Sequence, residues 1–131
     1  MARKVVIIDD EPWTRGVIIK LAQWDRLGLK VVGEAADGET GLELIRKVLP
    51  DIVITDVRMP RISGIELVQE FRQHPASEVN SIPIIMITVD TKEKTVLDAK
   101  NLGIREYLVK PISPIALKKR ICNVFGIKER V

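Results

Sequence analysis

The sequence predicts an α/β domain in which helices cover both faces of a parallel sheet. Apolar runs of strand length alternate with longer segments of helical period, in five successive pairs. The residues that directly follow four of these strands are charged or hydroxyl-bearing, as expected where the carboxyl ends of parallel strands form a ligand site. With 131 residues, 46% of them hydrophobic, the chain is long enough for one such domain, covering residues 1–131, with its own core.

The first two strand and helix pairs occupy the amino-terminal part of the chain. Lys4–Ile8 is predicted as a strand. Pro12–Leu27 is predicted as a helix, because proline suits a first turn and Gly28 follows the last helical residue. Lys30–Ala36 is the second strand and Glu39–Val48 a short helix. The second strand is less apolar than the first, so we expect it near a sheet edge.

The third pair begins with the pattern of a buried strand. Ile52–Thr55 is continuously apolar apart from its last residue and ends at Asp56. Proline and glycine then indicate a loop before a helix at Ile65–His74. The polar segment Ser77–Ser81 is predicted to connect this helix to the next strand.

The last two pairs complete the pattern. Ile84–Thr88 is the most apolar strand, and Asp90 with a glutamate three residues later predicts a capping box for a helix through Leu102. Glu106–Val109 is the fifth strand, and Pro114–Phe125 is the fifth helix.

Several aromatic and sulfur-containing side chains are interpreted as packing residues and are assigned no chemistry. Trp13 and Trp24 fall on one apolar stripe of the first predicted helix, and Met59 and Cys122 are expected to pack inward. His74 is interpreted as a helix-end residue. One cysteine excludes an intramolecular disulfide, and one histidine excludes a multi-histidine metal site.

Composition and charge exclude two classes of partner. Most of the net charge of +3 comes from residues 118–131, a short tail without the broad basic patch that nucleic-acid binding requires, so we expect no nucleic acid to bind this domain. No apolar run is long enough to span a bilayer, and the first residues lack the pattern of a secretory signal. We therefore expect a soluble, cytoplasmic protein without a membrane partner.

The residues that follow the strands predict a metal site. Asp9, Asp10 and Glu11 follow the first strand and Asp56 ends the third, so four carboxylates are expected at one rim. Clustered carboxylates repel one another unless a cation neutralises them, and Mg²⁺, or Mn²⁺ in its place, suits oxygen ligands. Thr88 and Lys110 at the next two strand ends would contact the oxygens of a phosphoryl group.

The same turn excludes a nucleotide site of the usual kind. After the first strand the chain reads Asp-Asp-Glu-Pro, where dinucleotide and P-loop sites need glycine-rich backbone. Carboxylates would repel a phosphate there, and proline removes a backbone donor. A metal site is therefore the favoured interpretation.

Taken together, these residues resemble the receiver domains of bacterial response regulators over almost the whole chain. The resemblance rests on a set of residues in order: Asp9 and Asp10, Asp56 followed by Met59-Pro60 and Gly64, Thr88, Tyr107, and Lys110-Pro111. It implies a flavodoxin-like, three-layer doubly wound (βα)5 fold with a five-stranded parallel sheet in the order 2-1-3-4-5. Each residue alone has an ordinary explanation as a turn, cap or packing residue.

The resemblance implies a chemical role for each position. Asp56 would accept a phosphoryl group from a phosphohistidine of a sensor histidine kinase or phosphotransfer protein. Asp10 and Asp56 would ligate Mg²⁺ directly, Asp9 through water, and Arg58 through its backbone carbonyl. Lys110 would contact the phosphoryl group.

The resemblance also implies a switch. Thr88 and Tyr107 would reshape the face formed by the fourth helix, the fifth strand and the fifth helix, here called the output face. From the residues alone, Tyr107 is equally well interpreted as ordinary packing. The output face is also the surface through which a homodimer would form.

Two departures from the family pattern concern access to the site. Val89 stands where a small residue is more usual, which would narrow the entrance to the phosphoryl pocket. Arg58 and Asp90 carry opposite charges on neighbouring loops, and we hypothesise that they pair and tune the lifetime of the phosphoryl group.

Two alternative functions are weighed against the receiver. A phosphohydrolase of the haloacid-dehalogenase type would need an acid/base aspartate where this chain has Arg58, so we expect no turnover of a separate substrate. A phosphorylation-independent interaction module would be expected to lack one of the acidic, hydroxyl or lysine positions. The segment after Trp24 looks like receivers joined to AraC-type DNA-binding domains, so transcription control and DNA contact would belong to an effector outside this chain.

Overall fold

The structure is a computed structural model that describes residues 2–21, 24–57, 59, 62–76, 80–89, 93–104 and 106–127. It contains five strands, β1 to β5 in chain order: Arg3–Ile8, Leu29–Ala35, Ile52–Asp56, Ile84–Thr88 and Glu106–Val109. All neighbouring strands run parallel, in the order β2-β1-β3-β4-β5. The predicted fold class and strand order are confirmed, and β2 is an edge strand as its composition indicated.

Five α-helices lie within the described residues, together with one short 3₁₀-helix at Trp24–Leu27. In chain order, α1 to α5 are Pro12–Leu21, Gly38–Val48, Gly64–Arg72, Glu93–Asn101 and Pro114–Phe125. None of these helices is long and apolar enough to cross a membrane.

The sheet has a separate apolar core on each face, because successive side chains of a strand point to opposite sides. Val6 and Ile8 of β1 belong to the first core, which α2, α3 and α4 cover. Val5 and Ile7 belong to the second, which α1, the 3₁₀-helix and α5 cover. Since β3 and β4 are buried along their whole length, the fold has the three layers of a doubly wound domain.

Local capping explains where several helices begin. Asp37 caps α2 by accepting a hydrogen bond from the backbone N–H of Thr40 at 2.8 Å. At α3, Ser63 and Glu66 form a capping box, in which each side chain accepts from the backbone N–H of the other. This box, which the sequence analysis did not identify, begins α3 at Gly64, one residue earlier than predicted.

The first predicted helix is wrong in its extent. It ends at Leu21 and is followed by the 3₁₀-helix instead of continuing to Leu27. Trp24 and Leu27 are both buried in the second core, because residues three apart also share a side in a 3₁₀-helix. The apolar spacing therefore continues across a change of helix type, and the pattern alone does not reveal the change.

Other differences are small. The third helix ends at Arg72, so His74 lies in the following loop, where its Nδ1 accepts from the backbone N–H of Ala76 at 3.1 Å. Trp24, Met59 and Cys122 pack against the cores as predicted. The predicted capping residue Asp90 lies outside the described residues.

Trp13 contradicts the prediction of packing. It leaves 80% of its surface exposed, although it shares the stripe of the buried Trp24. The reason is its place on the first turn of α1, beyond the carboxyl edge of the sheet, where no strand lies beneath it.

Candidate functional site

Strand register brings the predicted acidic residues to one edge of the sheet. Ile8 pairs with Thr55, so Asp9 and Asp56 follow from adjacent positions on neighbouring strands. The carboxylates of Asp9, Asp10, Glu11 and Asp56 each offer an oxygen, and these oxygens all lie within 4.8 Å of one another. The four residues, here called the acidic cluster, are therefore close enough to share one cation.

The cluster has a buried half and an exposed half. Asp9 and Asp56 are 1% and 5% exposed, whereas Asp10 and Glu11 lie at the surface. The backbone N–H of Asp9 donates to the carbonyl of Ala35 on β2 at 3.0 Å, which continues the sheet into the loop. Oδ1 of Asp9 accepts from the N–H of Glu11 at 2.9 Å. The acidic loop is thus held by main-chain contacts before any ligand binds.

Lys110 supplies the cation that is present within the protein itself. Its Nζ lies 2.8 Å from Oε1 of Glu11 and 3.1 Å from both Oδ2 of Asp56 and Oδ2 of Asp9. The residue follows β5, and its backbone N–H donates to the carbonyl of Thr88 at 2.8 Å. The peptide bond between Lys110 and Pro111 is cis. One ammonium thus neutralises part of a cluster that carries four carboxylates.

The protonation of these groups follows from burial and pairing. Burial raises the pKa of Asp9, against the opposing effects of its hydrogen bond from the Glu11 N–H and of the neighbouring Lys110. Burial lowers the pKa of Lys110, but hydrogen bonds with Glu11, Asp9 and Asp56 outweigh this effect and raise it above its ordinary value. Lys110 is therefore charged at neutral pH, and the ionised form of Asp9 carries a cost that further positive charge would remove.

One buried oxygen tests whether a metal ion fits the cluster. Oδ2 of Asp9 is buried and has no well-aligned hydrogen bond from the described residues, although Nζ of Lys110 lies 3.1 Å away. A buried carboxylate oxygen without a hydrogen bond is costly unless a cation satisfies it. Together with three further carboxylates within reach, this is the donor set of a hard, oxygen-ligated divalent cation.

The other predicted site residues lie around this cluster. Thr88 is fully buried as the last residue of β4, and Val89 after it is exposed. Tyr107 of β5 is half-buried and packs against the first core. The structure therefore brings Thr88 to the same sheet edge as Asp56, whereas Tyr107 lies within a strand. Arg58 and Asp90, and with them the predicted backbone ligand and ion pair, lie outside the described residues.

Three residues that support the site were not predicted to do so. Glu11 makes the shortest of the three contacts of Lys110. Gly64 donates its N–H to the carbonyl of Val57 at 2.8 Å, directly after Asp56. Arg15 contacts the backbone carbonyl of Asp9. Only Gly64 left a signal in the sequence, as a loop residue after Asp56, because the other two contacts depend on how loops approach one another.

A groove of about 470 Å³ lies beside the acidic cluster. It runs between α1 and the segment that follows β5, and its lining includes Glu11, Trp13, Val17, Val89, Lys110 and Ile112. The exposed Trp13 forms part of its apolar wall, while Lys110 joins the groove to Asp56. The groove is thus an apolar approach to the acidic cluster.

Comparison with known proteins supplies the family. The profile of the response regulator receiver domain matches residues 5–122. The chain belongs to this family. The receiver domain is 33% identical over 122 residues to the chemotaxis protein CheY-3 of Vibrio cholerae, covering 93% of this chain and 91% of that protein. It is 36% identical over 118 residues to the probable transcriptional regulator ycf27 of Guillardia theta, covering 90% of this chain and 43% of the relative.

Solved structures agree with this assignment. The receiver domain superimposes on the CheX–CheY–BeF3–Mg complex of Borrelia burgdorferi with a TM-score of 0.83 and 26% identity, covering 94% of this chain and 89% of the matched chain. As a receiver domain, the protein is a signalling module of the response regulators. Its acidic cluster lies where the predicted phosphoacceptor ends β3.

Proposed function

We propose that this receiver domain takes a phosphoryl group onto Asp56 in a Mg²⁺-dependent reaction and thereby switches its output face. The observation that carries the proposal is the surroundings of Asp56. Its carboxylate is almost fully buried at the end of β3, lies 3.1 Å from Nζ of Lys110, and shares a cluster of carboxylates with Asp9 and Asp10.

The acidic cluster would hold the cation. Asp10 and Asp56 are the proposed direct ligands, Asp9 acts through water, and the backbone carbonyl of Arg58 completes the protein's share. Bound Mg²⁺, or Mn²⁺ in its place, would screen the negative charge that builds up when an anionic phosphoryl group meets a carboxylate. The buried Oδ2 of Asp9, which lacks a well-aligned hydrogen bond from the described residues, supports this assignment.

The transfer itself requires little of the protein beyond positioning. An oxygen of Asp56 attacks phosphorus, the bond from phosphorus to the imidazole nitrogen of the donor breaks, and its electron pair stays on that nitrogen. Lys110 then contacts an oxygen of the transferred group, and the Thr88 hydroxyl donates to another. Hydrolysis of the acyl phosphate returns Asp56 to its carboxylate. We propose no turnover of a separate substrate.

The donor is proposed to be a phosphohistidine on a sensor histidine kinase or a phosphotransfer protein, both met in the cytoplasm. The groove between α1 and the segment after β5 supports this choice, because it offers an apolar surface that ends at Lys110 and Asp56. Val89 lies exposed in its wall and would restrict which donors enter. The pairing of Arg58 with Asp90 remains a proposal for tuning the lifetime of the phosphoryl group.

The proposed output runs through Thr88 and Tyr107 to the face formed by α4, β5 and α5. Each of these elements carries an exposed apolar residue, namely Leu97, Val109 and Ile115, which supports an interaction surface. A homodimer is the proposed occupant of this face. Control of transcription, and contact with DNA, would belong to an effector domain outside this chain, and this domain itself is proposed to bind neither nucleic acid nor membrane.

Intact-mass spectrometry after incubation with acetyl phosphate or phosphoramidate tests the proposal. We expect wild type to gain one phosphoryl mass with Mg²⁺ but not with EDTA, and Asp56→Asn to gain none. Asp51→Asn is a matched control, because Asp51 precedes the same strand at its opposite end. Should wild type gain no mass and also fail to bind beryllofluoride, the domain would instead be a phosphorylation-independent interaction module.

A further inference from the structure

Arg15 joins the acidic loop to the edge strand of the sheet. It lies in the first turn of α1, and its side chain is only 14% exposed. Nε donates to Oε1 of Glu34 on β2 at 2.9 Å, and Nη1 donates to the backbone carbonyl of Asp9. The guanidinium therefore bridges β2 and the first residue of the acidic cluster, and it contacts the cluster through backbone.

This contact restrains the direction of the loop. The carbonyl of Asp9 belongs to the planar peptide that leads into Asp10, so fixing its oxygen fixes how the chain enters Asp10. The backbone N–H of Arg15 also donates to the carbonyl of Glu11 at 3.2 Å. One residue thus holds the peptides on both sides of Asp10, whose exposed side chain has little packing of its own to orient it.

We infer that Arg15 is a positioning residue for the divalent cation, with Glu34 orienting its guanidinium. The inference rests on the proposed function, because it assumes that the acidic cluster binds Mg²⁺. Mg²⁺ accepts only a narrow range of ligand geometries, so the direction of Asp10 matters for its affinity. Groups that orient metal ligands typically contribute about 10-fold to 100-fold in affinity.

The sign of the effect separates positioning from simple electrostatics. Arg15 is a positive charge near four carboxylates, so removing it would by Coulomb's law alone make the cluster more attractive to a cation. Loss of positioning has the opposite effect, because an Asp10 without restraint must be ordered when the metal binds. Weaker Mg²⁺ binding in a variant that has lost positive charge can therefore be attributed to positioning.

Isothermal titration of MgCl2 into wild type, Arg15→Ala, Arg15→Lys and Arg120→Ala tests the inference. Arg120 is the matched control, because it also pairs with one glutamate, Glu106 at 3.4 Å, but lies on α5 away from the acidic loop. We expect the dissociation constant to rise about 10-fold in Arg15→Ala. We expect a smaller rise in Arg15→Lys, whose ammonium keeps the charge but cannot bridge both acceptors, and none in Arg120→Ala.

Urea unfolding in EDTA accompanies the titrations. It verifies that each variant is folded, since the metal affinity of a fully folded population does not depend on its free energy of unfolding. Arg15→Lys keeps the inference testable if Arg15→Ala fails to fold. An Arg15→Ala or Arg15→Lys variant that is folded and binds Mg²⁺ as tightly as wild type, or more tightly, overturns the inference and leaves the proposed function standing. Absence of Mg²⁺ binding in wild type overturns both.

Discussion

Gly64 lies against the carbonyl of Asp56 so closely that a side chain cannot fit between them. A Cβ built on Gly64 would lie 2.1 Å from that carbonyl oxygen, which is backbone and cannot rotate away. The glycine therefore allows α3 to begin directly beside the end of β3, and it ties the position of the helix to that of the phosphoacceptor.

Replacing Gly64 with alanine is expected to displace β3 from α3. The free energy of unfolding should fall by about 1–3 kcal/mol, the usual cost of overpacking, and phosphorylation of Asp56 should slow. Urea unfolding and the mass-spectrometric assay measure the two effects. Gly16→Ala is the matched control, because Gly16 lies in α1 with nothing within 4 Å of its Cβ position. Equal stability of Gly64→Ala and wild type would refute the close contact.

Lys110 is expected to stabilise the metal-free domain. Replacing it with methionine leaves the buried carboxylates of Asp9 and Asp56 without their ammonium partner, and should lower the free energy of unfolding by about 3 kcal/mol at pH 7. The loss should shrink toward pH 4, because protonated carboxyl groups no longer need the partner. Urea unfolding in EDTA across this pH range measures it, and a loss that did not vary with pH would indicate a packing effect instead.

Asp9 is expected to have the opposite effect on stability. Its folded-state pKa is raised above the ordinary 3.8, so its ionised form is less stable in the folded domain than in the unfolded chain. Asp9→Asn should therefore stabilise the metal-free domain at neutral pH. This gain should be complete above the folded pKa and disappear as the pH falls toward 3.8. A gain that persists at lower pH would not be electrostatic.

Metal provides the complementary measurement. Added Mg²⁺ should raise the melting temperature of wild type, because a ligand that binds only the folded state stabilises it. The rise should be smaller in Asp9→Asn, which has lost one carboxylate of the acidic cluster. An equal rise in both proteins would place the bound cation elsewhere.

Arg72 is expected to be a structural clamp away from the site. Its guanidinium donates to the carbonyls of Asn80 at 2.7 Å, Ile82 at 2.9 Å and Leu102 at 3.2 Å, and so joins the end of α3 to the segments around β4 and α4. Arg72→Ala should lower the free energy of unfolding by about 2–3 kcal/mol, whereas Arg120→Ala, which breaks a surface pair, should lower it by about 0–1 kcal/mol. Similar losses in the two variants would contradict the clamp.

The predicted fold agrees closely with the structure because the signals that carry it are local. Continuous apolar strands such as Ile52–Thr55 and Ile84–Thr88 require cover on both faces, and alternation with helices makes the sheet parallel. The ends of elements were less accurate. The first helix was extended to Leu27 because 3₁₀ and α geometry place apolar residues at similar spacing, and the capping box of Ser63 and Glu66 was overlooked.

The acidic cluster could be predicted for the same reason, since parallel topology alone collects strand ends at one edge. Asp9, Asp10 and Asp56 meet there, as expected. The bridging contacts of Lys110 with Glu11 and of Arg15 with Glu34 could not be predicted, because they join residues 99 and 19 positions apart through side-chain rotamers. Which residue answers which charge depends on how the loops approach one another.

Trp13 and Trp24 show where the division lies. The sequence determined that both belong to one apolar stripe, because helical period is a property of the chain itself. Only the tertiary structure decided that Trp24 enters the second core and that Trp13 stays exposed in the groove beside Lys110. Burial depends on what lies opposite a side chain, and beyond the carboxyl edge of the sheet no strand lies opposite Trp13.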